Sequence, residues 1–331
     1  MTAFGYALSS EEHPPEELVR LARRAEEVGF DFAMISDHYH PWTSQQGQSG
    51  FVWSVLGAIA QQTRHLRVGT GVTCPILRIH PAIIAQAAAT TARLFGGRFS
   101  LGVGSGENLN EHILGLPWPE PMRRLEMLEE AIGVMRRLWE GESVTHRGTF
   151  YTVEQARLFT LPTEPPPILV AASGPESAGL AGRAGDGLVG TAPDAKLVAE
   201  FEKAGGGRLP RYGQIGVCYA RSEKSARKTV LEIWPNTGLS GDLAWEIKTV
   251  ALFEEAVKRV REEDVEDVVC GPDLDAYLEA IERYAAAGYD HVYLHQIGHE
   301  QDAFLEFCER ELLPAALARA NGTRRKKRRE R

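Results

Sequence analysis

Short apolar runs alternate along this chain with longer stretches in which apolar residues recur every three or four positions. The first run, residues 4–8, precedes an amphipathic stretch over residues 14–28, which Gly29 ends. Such short runs are typical of buried strands, and such periodic stretches are typical of helices. Further strands are predicted at residues 32–35, 66–72, 99–103, 168–172, 187–190, 215–219 and 291–294. Further helices are predicted at residues 52–63, 81–94, 121–139, 176–184, 195–204, 222–231, 273–287 and 301–312.

The regular alternation of strand and helix predicts a parallel sheet, because parallel neighbouring strands need a crossover connection, which a helix supplies. Such crossovers are right-handed. The pattern contains eight strand and helix units, which is the number that closes a TIM barrel. An open doubly wound sheet is the less favoured alternative. We therefore predict an α/β protein built as a (β/α)8 TIM barrel.

Two segments interrupt the alternation and are predicted to be insertions. Residues 142–160 alternate polar and apolar side chains around a turn at Gly148, which is typical of a β-hairpin. Residues 234–267 are mostly helical in pattern but follow no strand. We expect one domain over residues 1–317, followed by a basic disordered tail, residues 318–331.

Composition places the chain among ordinary globular proteins, with 331 residues, 43% hydrophobic and 25% charged. The four cysteines form no C-x-x-C pair, so the sequence indicates neither a zinc site nor a disulfide framework, and no other metal site is expected. No leader pattern and no apolar run of spanning length is present, so we expect no membrane insertion. A reducing, cytoplasmic location fits these features best.

The net charge of −8 conceals an asymmetry between the tail and the rest of the chain. Residues 324–331 contain seven basic residues and one acid, and subtracting this +6 from the total leaves −14 for the remainder. An acidic body repels nucleic acid, so no nucleic-acid partner is expected. The basic tail is a weak exception, since it could contact RNA or an anionic surface.

The predicted second strand ends abruptly in reactive side chains. Its apolar run is followed by Asp37, His38, Tyr39, His40 and, after a proline, Trp42. In a TIM barrel the loops after the strands share one face, and that face holds the active site. This cluster is therefore the first candidate site.

Three later strand ends carry glycine-rich turns. Glycine allows positive φ and close approach of the backbone to a ligand, and a following helix can hold a phosphate at its first turn. Together the turns predict a sizeable phosphate-bearing cofactor, although they match neither the dinucleotide fingerprint nor the P-loop pattern. The turns are Gly69-Thr70-Gly71-Val72-Thr73-Cys74, Gly102-Val103-Gly104-Ser105-Gly106-Glu107-Asn108-Leu109-Asn110 and Ala171-Ala172-Ser173-Gly174-Pro175-Glu176-Ser177.

These motifs resemble a known group of enzymes. The combination of Ser36-Asp37-His38, Pro41-Trp42, Gly69-Thr70-Gly71-Val72, Ser105-Gly106-Glu107 with Asn110, and Ala181-Gly182-Arg183-Ala184-Gly185-Asp186-Gly187 is similar to the bacterial luciferase-like superfamily. More narrowly, it resembles the coenzyme F420-dependent glucose-6-phosphate dehydrogenase family. The resemblance spans about residues 4–317 and implies a luciferase-like TIM barrel that commonly forms a homodimer.

The resemblance also implies residue roles. His38 would be the base that takes the hydroxyl proton of a small-molecule substrate while a hydride passes to C5 of the deazaflavin, Glu107 would assist at N1, and Trp42 would wall the reacting face. A cis peptide is implied at Gly71-Val72, and Thr191 matches a substrate-pocket position. The implied cofactor-binding residues are Asp37, Gly71, Val72, Cys74, Ser105, Gly106, Asn110, Ser173, Gly174, Glu176 and Ser177.

From the sequence alone, several alternative roles of individual residues stay open. His38 could be a structural histidine, and Glu107 could merely cap the following helix. Asp194 and Asp267 occupy positions where relatives that act on sugar phosphates carry basic side chains, which argues against a phosphorylated substrate. The remaining histidines and the residues Trp118, Trp139, Trp234 and Trp245 are expected to serve packing.

At the level of function, two alternatives accompany the F420-dependent dehydrogenase. One is a luciferase-like monooxygenase that uses flavin mononucleotide (FMN), whose ring nitrogen at position 5 allows oxygen activation. The other is a cofactor-binding barrel without catalysis. The cluster around His38 favours the dehydrogenase.

Overall fold

The computed structural model of the protein describes residues 2–239, 241 and 243–319. Within these residues, one large sheet runs around the centre of the molecule and a separate two-stranded sheet lies outside it. The strands are β1 (Ala3–Leu8), β2 (Phe32–Ile35), β3 (Arg67–Thr70), β4 (Phe99–Val103), β5 (Val144–Arg147), β6 (Thr152–Ala156), β7 (Ile168–Ala171), β8 (Gly187–Gly190), β9 (Arg211–Cys218), β10 (Val269–Cys270) and β11 (His291–Gln296).

The large sheet closes into a barrel of parallel strands. Its neighbours follow the order β9, β11, β1, β2, β3, β4, β7, β8, and β8 pairs back onto β9. The first and last strands of the chain lie side by side, with Ala3 opposite His291. The predicted (β/α)8 barrel is therefore confirmed, and the loops after all eight strands open onto one mouth.

Helices surround the barrel and mostly follow the predicted bounds. Pro15 occupies the first position of α1, where its missing N–H costs nothing, and Gly29 ends that helix with φ 99°. The helices are α1 (Pro15–Val28), α2 (Val52–Gln62), α3 (Pro81–Phe95), α4 (Asn108–Glu111), α5 (Pro121–Trp139), α6 (Pro175–Ala184), α7 (Ala195–Phe201), α8 (Glu223–Ile233), α9 (Leu243–Glu246), α10 (Val250–Val257), α11 (Leu274–Ala287) and α12 (Gln301–Phe307).

Alternate residues of each barrel strand belong to two different cores. On β2, Ala33 and Ile35 pack against the helices, whereas Phe32 and Met34 pack inside the barrel. Tyr293 of β11 belongs to the same interior cluster. Because side chains alternate between the two faces of a strand, His295 shares the inward face of Tyr293. The interior cluster fills the barrel and forms the floor of its mouth.

One strand begins well before its predicted position, and one short strand was not predicted. β9 begins at Arg211, four residues before the predicted strand, since its first part, Arg211–Gly213, pairs with β8. The short strand β10, which the sequence pattern did not predict, pairs in parallel with the end of β9 through Val269 and Cys270.

The first predicted insertion forms the expected hairpin. β5 and β6 pair antiparallel, and Glu130 of α5 accepts hydrogen bonds from the backbone amides of Thr149, Phe150 and Tyr151. The Tyr151 hydroxyl reaches the carbonyl of Ile76 in the loop after β3. This hairpin therefore ties α5 to the barrel wall.

The second insertion contains α9 and α10 and lies over the barrel mouth. Phe253 of α10 is fully buried and packs with Leu109 of α4 and with Ile247. Arg124 of α5 donates to the Glu246 carboxylate at 3.0 Å. The insertion is thereby fixed to the two helices that follow β4.

Residues 320–331, which include most of the predicted basic tail, lie outside the described residues, and the helical C-terminal segment continues to residue 319. The division into one domain and a tail stays a prediction. The described portion of the chain holds no helix with the length and apolar character that crossing a membrane requires.

Candidate active site

A cavity of about 450 Å³ opens at the carboxyl ends of the barrel strands. Pockets that bind cofactors and drug-sized ligands typically occupy about 300–1,000 Å³, so this one can receive such a ligand. Most of the residues that the sequence singled out line it. They are His38, Trp42, Gly71, Val72, Ser105, Gly106, Glu107, Ser173, Gly174, Glu176, Ser177 and Thr191.

His38 lies on the cavity wall beside a carboxylate that the sequence analysis did not identify. Its Nδ1 is 3.1 Å from Oε1 of Glu11, and the side chains are 10% and 3% exposed. The ring nitrogen is not aligned for a hydrogen bond with the oxygen, so the contact is a close approach of the imidazole to the carboxylate, which becomes an ion pair only when the ring is protonated. Glu11 follows β1, and only the closure of the barrel brings it beside the end of β2.

Glu11 is held by two serine hydroxyls. Its Oε2 accepts from Ser9 Oγ at 3.0 Å and from Ser36 Oγ at 2.7 Å. Burial by itself would raise the pKa of the Glu11 carboxyl, but the His38 charge and the Ser36 hydrogen bond outweigh it, so the pKa is lowered from its ordinary value. Glu11 is therefore a carboxylate at neutral pH.

Trp42 stands between His38 and the second insertion. Its ring lies edge-on to the His38 ring at a centroid distance of 5.1 Å and edge-on to Phe253 at 5.1 Å. The insertion therefore fixes the indole that shields His38. His40, in contrast, contacts the carbonyl of Leu109 through Nδ1 and does not line the cavity.

Glu107 occupies the position before the first residue of α4, but its carboxylate makes no capping hydrogen bond. It lines the cavity, and its Oε2 is 3.5 Å from the Asn110 amide nitrogen. A role as a simple helix cap is therefore excluded, and the carboxylate is free to face a ligand.

Asp37, Cys74 and Asn110 are not among the residues that line the cavity. Asn110 accepts from the backbone amides of Tyr39 and His40, at 2.8 and 3.0 Å, and so fixes the loop that carries His38. Cys74 is buried, and burial raises the pKa of its thiol well above the ordinary value. These side chains are engaged in contacts with the protein itself.

Arg78 joins three parts of the site behind the cavity wall. Its Nη2 lies 2.9 Å from Oδ1 of Asp37, and its backbone amide donates to Oε2 of Glu111 at 2.7 Å. Thr73 donates to the other Asp37 oxygen at 2.8 Å. The guanidinium thus links the end of β2, the loop after β3 and α4. The sequence analysis identified neither Arg78 nor Glu111.

Glu111 is an unusual carboxyl in this network. Burial raises its pKa to about 7, although its contacts with Arg78 act in the opposite direction. Its side chain is fully buried, and it lies one helical turn after Glu107. The two carboxyls are close enough that Glu107 contributes to the raised pKa.

Glycines and a cis peptide form one side of the cavity. The peptide bond between Gly71 and Val72 is cis, as the resemblance implied. A Cβ atom added to Gly104 would lie 2.8 Å from Cγ2 of Val72. Gly106 has a φ of 74°, and a Cβ there would collide with Cys74. These positions therefore leave backbone, rather than side chains, facing the open space, which suits a flat ring.

The glycine turn after β7 leads into α6 at the opposite edge. Ser177 Oγ accepts from the backbone amides of Ser173 and Gly174, each at 3.2 Å. This arrangement holds the turn extended before the first helical residue. A helix of ten residues begins here, and its first turn suits the anionic part of a cofactor.

Another part of the cavity wall, around His295, contains a second imidazole beside a carboxylate. His295 of β11 lines the cavity, and its Nε2 is 3.3 Å from Oε1 of Glu12. Trp234 lies edge-on to His295 at 4.5 Å, and both Trp234 and Trp245 line the cavity. His295 and these two tryptophans therefore lie at the cavity, and the expectation that they serve packing stays a prediction.

Asp194 and Asp267 do not lie where the resemblance suggested. Asp194 caps α7 by accepting from the amides of Lys196 and Leu197, and both aspartates are exposed and outside the cavity lining. Neither acid can therefore decide which substrate enters. Within the described residues, no cluster of three or more His, Cys, Asp or Glu could hold a metal ion.

Known proteins match this chain over most of its length. The family model described as luciferase-like monooxygenase matches residues 1–291. Two curated proteins named F420-dependent glucose-6-phosphate dehydrogenase are similar to it. That of Microbacterium testaceum is 35% identical over 324 residues, covering 94% of this chain and 96% of the relative. That of Segniliparus rotundus is 36% identical over 324 residues, with the same coverage.

A solved structure shows the same architecture. It is described as an F420-dependent secondary alcohol dehydrogenase in complex with an F420-acetone adduct. The TM-score is 0.89 at 30% identity, with 95% of this chain and 99% of the other covered. The chain therefore belongs to the luciferase-like family and, within it, to the family of the F420-dependent glucose-6-phosphate dehydrogenases.

Proposed function

We propose that this protein is a coenzyme F420-dependent oxidoreductase that interconverts an alcohol and its carbonyl compound at a CH–OH carbon. The observation that carries the proposal is the buried pair of His38 and Glu11 on the cavity wall. Full-length relatives named as F420-dependent dehydrogenases support the choice of coenzyme. When bound, the deazaflavin supplies the ring carbon that accepts or returns the hydride.

His38 holds and moves the hydroxyl proton. An ionised carboxylate only accepts protons, so the contact with Glu11 favours the ring form that carries its proton on Nδ1. The lone pair then lies on Nε2, which can accept the substrate proton. In the reverse direction the same nitrogen donates the proton to the carbonyl oxygen.

The remaining residues of the site bind the cofactor and shield His38 from water. Glu107 presents a carboxyl with no capping bond to the open cavity, which suits a group placed to assist at a ring nitrogen. Trp42 covers one side of His38 and excludes water from it. The backbone at Gly71, Val72 and Gly106 leaves room for the ring, and the turn at Ser173 and Gly174 suits its anionic tail.

The two alternatives are less well supported. Solved structures of monooxygenases share only the fold with this chain, as the long-chain alkane monooxygenase does at 14% identity. A barrel without catalysis would not require the buried carboxylate of Glu11 beside His38, because a buried charge is costly unless it serves contact or chemistry.

A spectroscopic titration tests the proposal. Purified protein is titrated with F420 and separately with FMN, and F420 reduction is then followed with a panel of alcohols. We expect F420 binding and reduction without FMN uptake. His38→Ala should keep F420 binding and lose turnover by roughly 100-fold or more, whereas His40→Ala should retain turnover. Tight FMN binding with no F420 binding would exclude the proposal.

We further propose that the protein works as a homodimer in the cytoplasm. The resemblance to luciferase-like barrels supports the dimer. The free cysteines Cys74, Cys218, Cys270 and Cys308 form no disulfide in the described residues, which suits a reducing compartment. Size-exclusion chromatography with light scattering tests the oligomeric state.

A further inference from the structure

The pair of His295 and Glu12 has the composition of the His38 and Glu11 pair but is not assigned to the hydride transfer. Both of its side chains are nearly completely buried, at 5% and 1% exposure. Oε2 of Glu12 accepts from the backbone amide of Gly298 at 2.8 Å, while Oε1 faces Nε2 of His295. Both oxygens of the Glu12 carboxylate therefore have partners, and of this pair only the imidazole of His295 faces the cavity.

The free atom of this pair is Nδ1 of His295. Because Nε2 faces a carboxylate, the neutral ring carries its proton on Nε2 and leaves Nδ1 as an acceptor. Among the described residues Nδ1 has no hydrogen-bond partner, and it is not among the fully buried unpaired atoms. Since His295 lines the cavity, this acceptor is available to a ligand hydroxyl.

This acceptor belongs to the same cavity as His38. Glu11 and Glu12 are consecutive, and each pairs with one of the two cavity imidazoles. Both imidazoles line this cavity of about 450 Å³. One ligand molecule can therefore meet His38 and His295 at the same time.

The charges around the cavity disfavour an anionic substrate. Among the described lining residues, Arg124 is the one with a permanent positive charge, and it is paired with Glu246 at 3.0 Å and stacked over Trp118 at 4.4 Å. Glu11, Glu107 and Glu176 contribute carboxylates to the same lining. Away from the turn at Ser173 and Gly174, which is assigned to the cofactor, a phosphate dianion on the substrate would meet the carboxylates of Glu11 and Glu107, while the guanidinium of Arg124 is already paired.

Two indole side chains also line the cavity. Trp234 lies edge-on to His295, and Trp245 lines the same cavity. Flat aromatic rings offer apolar surface to C–H groups, while a neighbouring polar atom serves a hydroxyl. A wall of this kind suits a molecule whose C–H and O–H groups are both exposed, such as a sugar ring.

We infer that the substrate is an uncharged polyhydroxylated alcohol, such as a sugar without a phosphate, and that Nδ1 of His295 accepts a hydrogen bond from a hydroxyl other than the one oxidised. This inference rests on the proposed function. At the oxidised carbon the C–H bond breaks and its electron pair passes as hydride to the deazaflavin. The O–H proton passes to Nε2 of His38, and the C=O bond forms. His295 exchanges no proton.

Substrate preference provides the first test. The F420-loaded protein is assayed with uncharged aldoses and alditols, with glucose 6-phosphate and with propan-2-ol, and kcat/KM is compared. We expect the best uncharged polyol to exceed both others by roughly tenfold or more, because each competitor either brings a charge or leaves the acceptor unpaired. A preference for glucose 6-phosphate or propan-2-ol would overturn the inference and leave the proposed function standing. If no alcohol reduces F420, both fail.

Two variants at the pair provide the second test. His295→Leu and the milder Glu12→Gln should raise KM for the best polyol roughly tenfold and should change KM for propan-2-ol much less, because propan-2-ol has no second hydroxyl. His291→Leu, on the same strand but outside the cavity, serves as the control. Calorimetric titration of the polyol into each F420-loaded variant reports binding independently of turnover. Equal losses for polyol and propan-2-ol would show that the pair acts on the reaction or the fold and not on the second hydroxyl.

Discussion

Oε1 of Glu11 lies 3.1 Å from Nδ1 of His38, and both side chains are almost completely enclosed. The two residues come from different strand ends, so the sequence gives no indication that they meet. Their contact holds one ring nitrogen toward a negative charge and leaves the other facing the cavity. It thereby converts an ordinary histidine into an oriented proton acceptor.

Substitution of Glu11 by glutamine removes this charge while keeping the shape. We expect Glu11→Gln to lower kcat roughly tenfold to a hundredfold, since an unoriented ring accepts the proton less efficiently. Steady-state kinetics of the F420-loaded protein measure kcat for the variant and the wild type.

Glu16→Gln is the matched control for this prediction. Glu16 is an exposed acid in the first turn of α1, outside the cavity lining. Its substitution should leave kcat as in the wild type. An unchanged kcat in Glu11→Gln would contradict the orienting role.

Arg78→Met tests the network behind the cavity wall. The side chains of Arg78, Asp37 and Glu111 are 7%, 1% and 0% exposed. Removing the guanidinium leaves a buried carboxylate without its cation, so we expect a loss of about 3–5 kcal/mol in the free energy of unfolding. Urea denaturation of the purified variant measures this loss.

Arg23→Met provides the comparison for Arg78→Met. Arg23 pairs with Glu27 at 3.0 Å, but its side chain is 63% exposed. An exposed pair contributes about 0–1 kcal/mol, so this variant should denature almost as the wild type does. Similar losses in the two variants would show that Arg78 contributes no more than a surface charge.

Glu111→Gln tests a pH dependence of stability. Burial raises the pKa of the Glu111 carboxyl to about 7, whereas an unfolded glutamate titrates near about 4.3. Between these values the folded protein binds more protons than the unfolded chain, so stability is lost as the pH rises toward about 7. The wild type should lose up to about 1.4 kcal/mol per pH unit relative to the variant in this window.

Urea denaturation at half-unit pH steps measures this difference. The free energy of unfolding of Glu279→Gln, at an exposed position on α11, should depend on pH as that of the wild type does. If the free energy of unfolding of Glu111→Gln showed this same dependence, the Glu111 carboxyl would titrate equally in the folded and unfolded states, and the proposed effect of burial would be wrong.

Gly104→Ala tests the glycine side of the cavity. The added methyl group would lie 2.8 Å from Cγ2 of Val72, so Val72 must shift toward the open space. We expect F420 to bind roughly tenfold more weakly, because the surface that faces the ring is displaced. Fluorescence titration with F420 measures the dissociation constant.

Gly133→Ala is the corresponding control. Gly133 lies in α5 with open space around its Cα, and alanine favours a helix by about 1 kcal/mol over glycine. This variant should therefore bind F420 normally and be slightly more stable. Equal F420 affinity in both variants would remove Gly104 from the cofactor site.

The sequence by itself determined the barrel and the reactive strand end. Apolar runs such as that at residues 32–35, alternating with helical periods, allow only a few topologies, because parallel strands need helical crossovers. The cluster from Asp37 to Trp42 was visible because an apolar strand ends there in polar and aromatic side chains. The hairpin around Gly148 was likewise visible, since a period of two and a turn residue are local signals.

Only the tertiary structure decided which side chains meet. Glu11, Glu12, Arg78 and His295 are ordinary in their local sequence. Barrel closure places Glu11 beside His38, Arg78 beside Asp37 and Glu12 beside His295. The same closure removes Asp194 and Asp267 from the cavity and brings Trp245 into it. The periodicity of the local sequence shows which face of a helix or strand is buried. Contacts between distant strand ends depend instead on the register of the strands and on the path of the insertion.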